Sequence, residues 1–166
     1  MKITSYYTEN ENDVKYIFSL MHKLYKLGKR IYLKTNNVVE QEVLSELFWK
    51  FRTFLPHGTT EDQYQELQPV LVSGMEFEDY IAEKPKAAES NKDCNQEHQA
   101  FSTLIIYRHP NQYTESMINK VSGKDISGSL SEVIFWNPDQ HKNRMMLVGK
   151  VWIQQGINWV ELKKAD

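Results

Sequence analysis

Short runs of β-branched and aromatic residues alternate along this chain with longer stretches whose apolar positions recur at helical spacing. Ile3 to Tyr7 reads as a first strand. Asn12 or Asp13 can cap a helix whose apolar positions Val14, Ile17, Phe18, Met21, Leu24 and Tyr25 follow the 3.6-residue period. Gly28 supplies a left-handed stop, with Lys26 in the last turn. Arg30 to Lys34 reads as a second strand, and Asn37 caps a second helix with Val39, Val43, Leu44, Leu47 and Phe48 on one face. After Pro69, Val70 to Val72 is a short third strand. Thr103 to Tyr107 is a fourth, ended by His109-Pro110, and Ser131 to Phe135 is a fifth beyond a helix from about Gln112 to Val121. The alternation predicts a three-layer α/β domain over residues 1–166, with a mostly parallel sheet covered by helices on both faces in a Rossmann-like arrangement.

Two segments fit this pattern less well. Residues 75–100 are polar and poor in branched apolar residues, and read as a mobile surface insertion. In the run from Met145 to Ile153, the spacing of Met145, Val148 and Trp152 suits a helix, although a buried strand looks similar over so short a window. The expectation is a helix from Asp139, approached through Pro138 and ended by Gly156. No internal repeat is visible.

Composition narrows the class. The chain has 166 residues, 40% hydrophobic and 25% charged, as expected of one globular domain with a core of its own. No apolar run is long enough for a membrane helix. The N-terminus turns polar too early for a signal peptide, and the single cysteine, Cys94, cannot form an intramolecular disulfide, so the cytoplasm is the expected compartment. A net charge of −2 argues against direct, specific nucleic-acid binding. The charge is uneven: residues 76–100 carry seven acids and three lysines, whereas residues 142–166 carry five cations and two acids. That basic C-terminal region is either a solvated face or a receiver for an acidic partner.

Catalytic and cofactor chemistry finds little support. The first strand–helix turn, Thr8 to Asp13, has no glycine and three acids, which would repel a phosphate. The segment Gly123 to Ser129 lacks the lysine that a phosphate loop needs after its second glycine. Neither a nucleotide nor another cofactor is expected. Cys94, His98 and His109 are a sparse set for a metal, two of them inside the polar insertion. His57 follows Pro56 and His109 precedes Pro110, positions that suit loop-fixing hydrogen bonds better than general bases.

The segment Leu47 to Gly58 is more informative, because Phe48, Trp49, Phe51 and Phe54 crowd the end of a helix that runs into a proline-fixed turn. Neighbouring helix positions diverge by about 100°, so one helix side cannot bury Phe48, Trp49 and Phe51 together. Some of this aromatic surface faces outward or covers another chain, unless a large local core lies beneath the loop.

The same segment carries a resemblance. The N-terminal strand ending in two aromatics, Gly28-Lys29-Arg30-Ile31-Tyr32-Leu33, the helix closing on Leu47-Phe48-Trp49, then Phe54-Leu55-Pro56-His57 and Pro69-Val70-Leu71-Val72, resembles the chi subunit of bacterial DNA polymerase III. The likeness runs over about residues 3–72, resumes at Ser102 to Ile106, and is looser from Glu132 to Gly156. It implies a nucleotide-type fold without nucleotide chemistry, serving as a non-catalytic accessory subunit of the clamp-loader assembly. The resemblance implies two partners. One is the psi subunit, on a surface matching Trp49, Phe54 and Pro56. The other is the acidic C-terminal tail of single-stranded DNA-binding protein, on a basic and aromatic C-terminal helix matching Lys150 and Trp152, with Lys142 and Arg144 nearby. The tail site departs from the family pattern: Met146 falls where an arginine is expected and Gly149 where a tyrosine is. Two rival readings remain, a small hydrolase or transferase with His57 as its base, and an interaction subunit of a DNA-repair helicase complex.

Overall fold

The structure, a computed structural model, describes residues 1–8, 13–83, 100–108, 130–136, 149–155 and 158–162. Its elements in chain order are β1 (Lys2–Tyr7), α1 (Asp13–Lys26), β2 (Ile31–Lys34), α2 (Val38–Trp49), β3 (His57–Thr59), a 3₁₀ turn (Gln65–Leu67), β4 (Val70–Ser73), α3 (Phe77–Glu83), β5 (Thr103–Tyr107), β6 (Glu132–Trp136), β7 (Lys150–Gln155) and β8 (Asn158–Leu162). The strands form one sheet in the order β3-β4-β2-β5-β6-β1-β7-β8. Pairing is parallel from β3 across to β7, and β8 returns antiparallel to β7.

The chain runs from β1 out to the β3 edge with α1 and α2 on one face, then returns through β4 and β5 with α3 on the other. Right-handed crossovers require this change of face when the direction of winding reverses. On the first face Ile17, Phe18, Met21 and Leu24 of α1 and Leu44 and Phe48 of α2 pack on Ile31, Leu33, Val70 and Ile105. On the second, Phe77 and Tyr80 of α3 meet Tyr32, Leu71, Leu104 and Ile106. The central strands β2, β4 and β5 are buried along their whole length, as strands sandwiched between two helical layers must be.

Local signals end the helices as the sequence suggests. Gly28 has φ +73°, its N–H bonds to the Tyr25 carbonyl at 2.9 Å, and the Lys29 N–H reaches the Leu24 carbonyl at 3.0 Å, which together close α1. The Asn37 side chain accepts from the Glu40 N–H at 2.9 Å, and the Glu40 carboxylate accepts from the Asn36 N–H at 2.8 Å.

Four expectations need correction or narrowing. First, α2 buries Gln41, Leu44, Ser45 and Phe48 and turns Val39 and Val43 outward. Gln41 can be buried because its side-chain oxygen accepts from the Gly74 N–H at 2.9 Å and the Thr60 hydroxyl at 3.2 Å. Second, residues 75–83 are no loose insertion: α3 places Phe77 and Tyr80 in the core, while residues 84–99 lie outside the described part. Third, β3 was not expected at all. Fourth, the helix foreseen from Asp139 to Gly156 is contradicted from residue 150 onward, where β7 and β8 form a hairpin. Gly149 enters it at φ +109°, and a Cβ there would fall onto the Ile3 carbonyl oxygen, so glycine lets β7 close against β1. Residues 139–148, the helix foreseen at 112–121, the turn at 9–12, the glycine-bearing segment 123–129 and His109 all lie outside the described residues.

Candidate functional site

The end of α2 sorts its aromatics between inside and outside. Phe48 is buried against Phe18, their ring centroids 5.7 Å apart. The Lys50 N–H bonds back to the Leu47 carbonyl at 3.0 Å and the Phe51 N–H to the Phe48 carbonyl at 3.4 Å, which tightens the last turn. This swings the Phe51 ring onto Phe18, stacked at 4.3 Å. Trp49 is left outside the core at 57% exposure. After the bend, Phe54 stands out at 65% while Leu55 turns inward. The Trp49 and Phe54 rings lie 6.0 Å apart, and the half-buried Pro56 follows Leu55 in the same turn. The structure therefore brings Trp49 and Phe54 together and places Pro56 in the turn that carries them.

His57 lies under this pair and is only 4% exposed. Its Nδ1 is 2.9 Å from the Leu55 carbonyl oxygen and its Nε2 is 3.1 Å from that of Ser45. The ring stands edge-on to Phe48 at 5.6 Å and supports Trp49 at 4.4 Å. A buried imidazole with a backbone carbonyl at each nitrogen is not placed to take a proton from a substrate. Its geometry ties β3, the turn and α2 together under Trp49.

At the opposite end of the sheet, Lys150 and Trp152 stand two residues apart on β7 and so share one face of a strand. The Lys150 ammonium is 3.4 Å from the Glu161 carboxylate of β8, and Glu161 pairs in register with Trp152. Sequence reasoning missed Glu161, since only the hairpin brings it opposite. Lys142 and Arg144 lie outside the described residues. Among the described residues no helix is long and apolar enough to cross a membrane.

The turn that fixes Trp49, Phe54 and Pro56 falls inside a stretch matched by a known family. The model of the DNA polymerase III chi subunit, HolC, matches residues 1–114. The chain belongs to the chi subunit family. A Rickettsia prowazekii (strain Madrid E) protein described as a probable DNA polymerase III subunit chi is 31% identical over 70 residues. That alignment covers 41% of this chain and 42% of the relative, so less than half of either. The aromatic turn of this chi-family chain lies within the family match, whereas Lys142, Arg144, Lys150 and Trp152 lie beyond its end.

Proposed function

We propose that the chain is a non-catalytic accessory subunit of the bacterial replicative DNA polymerase, holding a second subunit of the clamp-loader assembly through Trp49, Phe54 and Pro56. The observation that carries this reading is the exposed Trp49–Phe54 pair on a turn fixed from below by His57. Large aromatic rings held rigidly at the surface lose little conformational freedom on binding, and tryptophan is a frequent interface anchor. Membership of the chi family supports a partner within the polymerase complex, and we take that partner to be a psi-like subunit. The same protein would take the acidic tail of single-stranded DNA-binding protein near Lys150 and Trp152, with Lys142 and Arg144. Sheet geometry supports a linking role. The aromatic turn adjoins β3 and the hairpin forms the other edge, so about 29 Å of sheet separates the two places, at roughly 4.8 Å per strand. Both could be occupied at once.

The test is calorimetry with the psi-like subunit from the same genome. Trp49→Ala and Phe54→Ala should each weaken binding by about 2 kcal/mol. Because both side chains are more than half exposed, thermal stability should change by less than about 0.5 kcal/mol. Unfolding of both variants, or unchanged affinity, would return these rings to a purely structural role.

A further inference from the structure

The outer face of α2 is built against its own helical preference. Val38, Val39 and Val43 are each at least half exposed, and Val39 reaches 74%. Valine is a poor helix former because its branched side chain loses rotamer freedom against the preceding turn. Burial normally offsets that loss, and at these positions at least half of each residue's surface stays exposed. The acids of the helix add a second local cost. Glu42 and Glu46 are exposed and one helical turn apart, a like-charge spacing that destabilises a helix. α2 has no basic residue in its last turn, and Lys50 first follows it as the C-cap.

Positions on the helical wheel organise these features. Val39 and Val43 lie within about 40° of each other, with the partly buried Leu47 continuing their line. Val38 and Trp49 fall within about 20° of a second line, on the side toward β3. Glu42 and Glu46 lie between the two. The face is thus apolar at both margins and acidic along its centre, and one margin ends in the Trp49–Phe54 pair.

We infer that the outer face of α2 extends the aromatic site and receives an amphipathic helix of the partner subunit, one with apolar residues flanking a row of lysines or arginines. The occupant follows from charge complementarity: a basic row between the valine lines relieves the Glu42–Glu46 repulsion and covers the exposed valines at once. Two helices packed side by side make this kind of contact. The inference rests on the partner reading of the Trp49 turn and specifies the chemistry of what binds there.

The experiment measures affinity for the full-length psi-like subunit at two salt concentrations, with Trp49→Ala as reference. The double variant Val39→Ala, Val43→Ala should keep or raise thermal stability, since alanine is the better helix former, while weakening binding about tenfold. Glu42→Lys with Glu46→Lys should weaken binding about tenfold at low salt, with the difference shrinking as salt screens the charges. If Trp49→Ala weakens binding while both double variants bind like the parent, the extension onto α2 is wrong and the aromatic site stands. If the parent does not bind, or Trp49→Ala binds like the parent, the partner reading itself fails and this inference fails with it.

Discussion

His57 shows how one side chain can set the position of others. It is the first residue of β3, it reaches the Ser45 carbonyl on α2 and the Leu55 carbonyl in the turn, and it supports the Trp49 ring. Replacing it with leucine keeps similar bulk and removes both polar contacts. A neutral imidazole can donate to only one of the two carbonyls, and losing that partner costs about 1–3 kcal/mol, so His57→Leu should lower unfolding free energy by about that much in urea melts. It should also loosen Trp49, seen as faster acrylamide quenching, because the ring beneath it is no longer held. Unchanged stability and quenching would mean that the turn is fixed by Leu55 and Phe51 instead. That some of Phe48, Trp49 and Phe51 must leave the core was legible in the sequence, since adjacent helix positions cannot all face one side. Which aromatics turn inward was not: Phe51 reaches Phe18 only because the last turn of α2 tightens, a detail set by tertiary packing.

At the scale of elements, the readings that succeeded rest on strong local chemistry, and those that failed lacked it. Asn37 and Gly28 mark helix ends through side-chain capping and a left-handed backbone, signals that act within a few residues. β2, β4 and β5 were legible as short apolar runs bounded by polar residues. α2 misled because valines lie on one side and Gln41 and Ser45 on the other, and the buried glutamine is explained only by Gly74 and Thr60, distant in sequence. In α3, Phe77, Tyr80 and Ile81 carry a helical spacing that was readable, but the surrounding acids hid it. β7 is the clearest failure. Val151 and Ile153 alternate toward the core, as a strand requires, yet Trp152 also completes a helical stripe with Val148 and Met145. Gly149 decides the matter in the structure, because the hairpin can reach β1 only where no Cβ intervenes. Gly149→Ala should therefore destabilise the protein by at least about 2 kcal/mol, through backbone strain and a steric clash together. Denaturant melts would show it as a lower midpoint. A midpoint equal to that of the parent would mean that β7 does not sit against Ile3 as described.

For the molecule as a whole, the two-faced sheet places tyrosine hydroxyls in regions poor in water, and this makes its stability sensitive to high pH. Burial pushes the Tyr32 hydroxyl well above its ordinary value of about 10. Burial, reinforced by the Asp13 carboxylate, does the same for Tyr107. Tyr32 donates to the Met75 carbonyl at 2.9 Å and Tyr107 donates to Asp13 at 3.1 Å, and ionisation would destroy both bonds. Below pH 10 these hydroxyls are protonated in the folded and the unfolded chain alike, so their contribution to stability is fully present and does not vary with pH. Above it, the unfolded chain releases protons that the folded chain retains, and the balance shifts toward unfolding until the raised folded values are reached. The slope approaches about 1.4 kcal/mol per pH unit for each such tyrosine. Urea melts between about pH 8 and 12 should show stability that falls above 10, with tyrosinate absorbance from these residues appearing together with unfolding. Tyr32→Phe and Tyr107→Phe should each flatten the alkaline slope by about one proton, whatever they do to stability at neutral pH. A slope unchanged in both variants would show that these hydroxyls reach solvent in the folded protein, which would contradict the closed, helix-covered sheet from which the prediction follows.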